Sequence, residues 1–113
     1  MKFNKICVLG LGYIGLPTAS TFATNGINVV GVDVNPHIIS SLQNGQVHIY
    51  EPGLNALVQD SFQSGKLTIN NKPEEADAFI IAVPTPFLDD KRADMRFVIA
   101  AAESIMPYLR RGN

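Results

Sequence analysis

Two kinds of hydrophobic pattern alternate along this chain. Continuous apolar runs stand at Ile6 to Leu9, Val29 to Val32 and Ala78 to Val83, with a shorter one at Leu67 to Ile69. Strands buried on both faces, as in a parallel sheet, read this way. Between the runs, apolar residues recur at helical spacing. From Ile14 to Thr24, Leu16, Ala19 and Ala23 form one row and Ile14, Thr18 and Phe22 a second. Asn25-Gly26 supplies the stop, because glycine tolerates the left-handed conformation at a helix end.

Asn35-Pro36 predicts the N-cap and first position of a short helix, with Ile38, Ile39 and Leu42 on its apolar face and Asn44-Gly45 at its end. Gln46 to Pro52 reads as a loop. Leu54, Leu57, Val58 and Phe62 predict another helix, closed by Gly65. Pro73 to Ala76 predicts one helical turn before the fourth strand, which Pro84-Thr85-Pro86 ends because proline cannot donate to a sheet ladder. Asp94 is expected to cap a last helix with Met95, Val98, Ile99, Ala102, Ile105, Met106 and Leu109 along one side, kinked or ended by Pro107. Four strands, each followed by helix, predict an α/β fold. It is a Rossmann-type doubly wound parallel sheet, truncated after the fourth strand and its helix. Arg110 to Asn113 stands where a fifth strand is expected, so residues 1–113 read as an incomplete, N-terminal part of a larger protein.

Composition narrows the class. A length of 113 residues suits one domain and is short for a complete two-halved dinucleotide fold. The apolar fraction of 46% against 17% charged argues for an ordered domain. Net charge is −1 and the basic residues are scattered, which argues against nucleic acid as a partner. Met1-Lys2-Phe3-Asn4-Lys5 is basic, but Gly10, Gly12 and Gly15 break the apolar run behind it. It reads neither as a signal peptide nor as a membrane span, and no membrane partner is expected. The lone Cys7 excludes an internal disulfide, so a reducing cytoplasm is the expected compartment. Among Ile6, Val8 and Leu9, Cys7 reads as a small core hydrophobe and not as a nucleophile. His37 and His48 have no matching Cys or His set; they read as surface or loop histidines, with no metal site.

The candidate chemistry lies in Gly10-Leu11-Gly12-Tyr13-Ile14-Gly15, a G-x-G-x-x-G between the first strand and the first helix. Asp33 follows at the end of the second strand, 18 positions after Gly15. In a dinucleotide site Gly10 makes the tight turn, Gly12 lets a pyrophosphate approach, and Gly15 allows close packing of the helix. Backbone N–H groups of Tyr13 and Ile14 can donate to phosphate oxygens at the positive helix end. Asp33 can accept both ribose hydroxyls, and its charge would repel a 2′-phosphate, which favours NAD over NADP. Pro84 and Thr85 fall at the carboxyl end of the fourth strand, beside the crevice, where Thr85 can offer a hydroxyl and an N–H. Glu51-Pro52-Gly53-Leu54 reads as the start of a helix, with Glu51 near its positive end.

Taken together, GLGYIGLPTA (Gly10 to Ala19), GVDVN (Gly31 to Asn35), HIYEPGL (His48 to Leu54) and AVPTPF (Ala82 to Phe87) resemble the UDP-glucose/GDP-mannose dehydrogenase family over nearly the whole chain. The resemblance implies oxidation of a sugar C6 alcohol to a carboxylate by two NAD+, through a thiohemiacetal and a thioester on a catalytic cysteine. It implies NAD contacts at Tyr13, Ile14, Asp33 and Thr85, a UDP-sugar as partner of the full-length enzyme, and a homodimer. Pro84 leans towards the N-acetylmannosamine branch, because UDP-glucose dehydrogenases usually carry glycine between the valine and the threonine. Ile38 stands where some members have a basic residue holding the adenosine end. The family's catalytic cysteine, lysine and asparagine correspond to positions beyond Asn113, so no catalytic residue is expected in this chain. Other readings are another UDP-sugar 6-dehydrogenase, acting on UDP-N-acetylglucosamine or UDP-glucose, and a non-catalytic nucleotide-binding module. A methyltransferase using S-adenosylmethionine shares the glycine turn and the acid, but fits poorly with Pro17 and Pro84-Thr85-Pro86.

Overall fold

The strands are β1 (Lys5–Leu9), β2 (Asn28–Val32), β3 (Leu67–Asn70) and β4 (Ala78–Ile81). They pair in parallel in the order β3-β2-β1-β4, so β1, at the centre, has β2 on one side and β4 on the other. A computed structural model describes residues 3–113; Met1 and Lys2 of the basic N-terminal segment lie outside the described residues. The register places Val8 beside Gly31 and Ile80, and Leu9 beside Val32 and Ile81. All three strand ends therefore stop at one level.

Successive strand residues feed two separate cores, as the pleat requires. Ile6, Val8 and Val29 pack under α1 (Gly15–Thr24), α2 (Pro36–Gln43) and α3 (Leu54–Gln63) through Leu16, Ala19, Ala23, Leu42, Leu54 and Val58. Cys7, Leu9, Val30 and Val32 face the other way, under Ala76 and under Ala101 and Ile105 of α4 (Arg96–Ile105). The unbroken apolar runs of β1 and β2 are thus explained by helix on both faces. β3 differs: Leu67 and Ile69 are buried while Thr68 and Asn70 are exposed, because this edge strand has cover on one side only.

Helix ends follow the sequence signals closely. The Asn35 side chain accepts the His37 N–H at 2.9 Å, and Pro36 opens α2. Gly26, Gly45 and Gly65 follow α1, α2 and α3 with positive φ. The 3₁₀ turn Met106–Tyr108 ends α4 at Pro107.

Three local expectations need correction. Pro73 to Ala76 is not a helical turn, and β3 is not followed by helix. The Asn71-to-Asp77 connection runs into β4 without regular structure, with bends at Asn71, Lys72 and Asp77, Pro73 and Ala76 buried, and the Asp77 N–H donating to the Lys5 carbonyl. β4 stops at Ile81 and not at Val83. Its partner β1 turns away at Gly10, so the ladder closes with the Ala82 N–H on the Leu9 carbonyl before any proline is reached. Finally, α4 buries Ala101 and Ile105, while Met95, Ile99, Met106 and Leu109 of the anticipated apolar side remain exposed. Asp94 lies one place before the N-cap Met95, yet its carboxylate still accepts the Arg96 N–H at 3.0 Å. The Arg96 guanidinium hydrogen-bonds the same group and holds it below the usual carboxylate range.

Asp77 ties the β3–β4 connection to the start of the central strand. Its carboxylate accepts the Asn4 and Lys5 N–H groups at 2.8 and 2.9 Å and pairs with Arg110. Those backbone hydrogen bonds, more than the arginine, hold the Asp77 pKa below the ordinary aspartate value. The stabilisation is therefore complete above about pH 4 and fades as acid carries the group through its lower folded-state value. Wild-type protein should lose urea resistance faster than Asp77→Asn on acidification below about pH 4, the two converging in acid. Parallel urea midpoints from neutral to acid pH would contradict this.

Candidate functional site

A cleft of about 690 Å³ opens where the strands end. Gly10, Gly12, Tyr13, Ile14, Asp33, Pro84 and Thr85, seven of the eight residues singled out from the sequence, line it together. The eighth, Gly15, is buried behind the turn. The ends of β1 and β2 (Leu9 and Val32) and the segment after β4 (Ala82 and Val83) form the floor.

The three glycines meet different constraints. Gly10 has φ +98°, and a Cβ there would stand 2.5 Å from the Ala82 carbonyl oxygen. A Cβ on Gly15 would stand 1.6 Å from the Gly10 carbonyl oxygen, so the helix start is pressed onto the turn itself and not only onto the sheet. Around Gly12 there is nothing within 4 Å. Two glycines let backbone meet backbone, and the third leaves a place uncovered. α1 begins with Ile14 as N-cap and no side-chain cap, and among the described residues the Tyr13 and Ile14 N–H groups donate to no backbone carbonyl. Both residues are 71% exposed at the rim. Such uncapped N–H groups beside an uncovered glycine fit an anionic phosphate.

Asp33 already has structural work. Its Oδ2 accepts the Leu11 N–H at 3.0 Å and its Oδ1 the Asn35 N–H at 2.9 Å, which orients the carboxylate between the glycine turn and the β2–α2 loop. A carboxylate offers about four acceptor positions, so two remain for ribose hydroxyls. Helix capping falls to Asn35, leaving Asp33 free of that role. Ile38 also lines the cleft, as an apolar surface.

Pro84 and Thr85 are exposed at the opposite rim. Beyond them the chain makes a small antiparallel excursion, closed by the Asp94 N–H on the Pro86 carbonyl and a Phe87–Ala93 bridge, before α4 begins.

Sequence reasoning missed two contributors. Phe97, Ala100 and Ser104 of α4 form a wall of the cleft. Nothing local to α4 signals this, since it depends on the helix returning over the sheet face that carries Cys7, Leu9, Val30 and Val32, beside β4. His48 is an exposed loop histidine as expected, but its Nε2 lies 2.7 Å from the Leu11 carbonyl oxygen. Its place in HIYEPGL was a signal without a partner. Cys7 is fully buried away from solvent, and burial pushes its thiol pKa up, as befits a core residue.

Comparison with known proteins finds relatives of nearly the whole chain. The chain is 50% identical over 113 residues to an NDP-N-acetyl-D-galactosaminuronic acid dehydrogenase of Ralstonia nicotianae, covering 100% of this chain and 27% of the relative. It is equally 50% identical to a UDP-N-acetyl-D-mannosamine dehydrogenase of Yersinia pestis, again covering 100% of this chain and 27% of the relative. The solved UDP-N-acetyl-mannosamine dehydrogenase of Staphylococcus aureus superposes with a TM-score of 0.94 at 50% identity, over 96% of this chain and 27% of that one. The chain thus spans about a quarter of the length of these relatives. Residues 4–113 match the NAD-binding domain that defines the UDP-glucose/GDP-mannose dehydrogenase family, and the chain belongs to that family as its NAD-binding domain.

Proposed function

We propose that this chain is the NAD-binding part of a dehydrogenase that oxidises UDP-N-acetyl-D-mannosamine to UDP-N-acetyl-D-mannosaminuronate with two NAD+. The observation that carries the reading is the convergence of an uncovered Gly12, the Asp33 carboxylate and the Pro84-Thr85 turn on one cleft. NAD+ supplies the hydride acceptor when bound. Gly10 and Gly15 shape the turn, and Tyr13 and Ile14 donate their N–H groups to the pyrophosphate. Asp33 takes the ribose hydroxyls of the adenosine, and Pro84 and Thr85 border the far end.

The substrate half of the reading rests on Pro84 and on the relatives that act on UDP-N-acetylmannosamine. The equally similar relative named for N-acetylgalactosaminuronic acid supports a second reading, a different N-acetylated nucleotide sugar. The remainder of the enzyme would supply the catalytic groups, since buried Cys7 cannot act as the nucleophile. A UDP-sugar partner, a homodimer and a reducing cytoplasm belong to the same reading.

The protein is expected to bind NAD+ in preference to NADP+ by calorimetry, and equal affinities would sink the assignment of Asp33. Asp33→Ala should weaken NAD+ binding by roughly tenfold or more and erode that preference, as loss of hydrogen bonds to a charged acceptor predicts. Gly12→Ala should lower NAD+ affinity roughly tenfold, about 1.4 kcal/mol, with an unchanged thermal midpoint, because its φ and surroundings accept a methyl group. Gly15→Ala should instead cost about 3 kcal/mol of stability or more, from backbone overlap; a normal melting curve for it would refute the close approach. With UDP-N-acetylmannosamine and NAD+, the isolated chain should form no NADH. Steady NADH formation would place the missing chemistry within these 113 residues.

A further inference from the structure

Of the HIYEPGL segment, only the contact of His48 with the glycine turn touches the site, and the proposed function gives that contact no role. The segment crosses from α2 to α3, with Ile49 and Leu54 buried in the core as anchors on either side of exposed Tyr50 and Glu51. From this anchored loop His48 reaches the Leu11 carbonyl oxygen with its Nε2 at 2.7 Å. A carbonyl oxygen can only accept, so the bond requires the proton on Nε2.

Leu11 is the residue between the first two glycines, and it is held at every polar atom. Its side chain is fully buried and lies over Gly31, where an added Cβ would come within 3.0 Å of the leucine Cδ2. Its N–H donates to Asp33. Among the described residues no backbone N–H reaches its carbonyl, so the α1 helix leaves that acceptor to His48. An unpartnered carbonyl on so buried a residue would be costly, and the turn would be free to rotate its peptide towards water. In a trans peptide the Leu11 carbonyl and the Gly12 N–H point in opposite directions. Fixing one therefore fixes the other, at the position where the turn is left uncovered for the cofactor.

We propose that His48 is a positioning residue for the cofactor site. By donating Nε2–H to the Leu11 carbonyl it locks the Leu11–Gly12 peptide, so that the glycine turn meets the dinucleotide already in its bound shape. Asp33 holds the same residue from its N–H side, and the two side chains clamp it from different loops. Preorganisation of this kind raises affinity by removing the cost of ordering the turn on binding.

The inference rests on the NAD reading, and its test separates the two. NAD+ binding is measured by calorimetry for wild type, His48→Ala and His48→Gln, with thermal midpoints recorded alongside. The glutamine Nε2 stands the same number of bonds from Cα as the histidine Nε2 and donates a hydrogen bond. His48→Ala should bind NAD+ roughly tenfold more weakly, and amide hydrogen exchange should quicken at Leu11, whose N–H is held by Asp33. His48→Gln should recover most of the affinity and the slow exchange. If both variants bind like wild type, or both weaken equally, His48 does not position the turn through this bond. Should alanine lower the thermal midpoint, the glutamine variant still decides, because lost packing of the ring would not be rescued by it. A wild-type protein that binds no NAD+ would overturn the cofactor reading itself, and this proposal with it.

Discussion

The closest backbone approach in the cofactor turn governs everything built around it. The start of α1 sits on the Gly10 carbonyl, and Gly10 in turn sits against the Ala82 carbonyl beyond β4, with no room for a Cβ at either glycine. The glycine turn, the start of α1 and the sequence-distant segment after β4 are therefore in direct backbone contact at one corner of the sheet. That contact sets the angle at which α1 leaves β1. It holds the segment after β4 beside the glycine turn, and it makes the strand ends into the floor of a cleft.

Around this corner, hydrogen-bonding groups are divided between structure and ligand. Asp33 uses half of its acceptor capacity on Leu11 and Asn35 and keeps the rest available. The uncapped N–H groups of Tyr13 and Ile14 are left to whatever enters the cleft. Leu11 fills the core under the turn while both its main-chain polar groups are held by side chains from other loops. The site is rigid because its neighbours are already satisfied, and receptive because a few donors and acceptors are not.

The two faces of the sheet are unequally covered. Helices α1, α2 and α3 share one face, whereas the other has only α4 and the short connection through Ala76. The β3–β4 connection is too short for a helix of its own, and it spends its polar groups on Lys5, Asn4 and the edge of β1. This leaves the cleft side open enough for Phe97, Ala100 and Ser104 to be exposed to it. The exposed Ile99 lies on the same helix, away from the face it buries, and exposed Met95 and Met106 flank its two ends.

Much of this was legible in the residues alone. Continuous apolar runs required strands covered on both faces, the glycine spacing and Asp33 marked the turn, and Asn35-Pro36 and the terminal glycines marked helix ends. Each is a local rule, set by backbone conformation or by the pleat of a strand, so neighbouring residues suffice to state it. The reading failed where the deciding partner was remote. Apolar periodicity in α4 cannot say which side meets the sheet, and the glutamates and proline of the β3–β4 connection resemble a helix start until Asp77 is found against Asn4 and Lys5. The reach of His48 to Leu11 spans 37 positions and leaves no trace in spacing or composition. The sequence by itself determined the elements, the turn and the acid; only the tertiary structure decided which residues stand around them, because contact across the chain depends on packing and not on order.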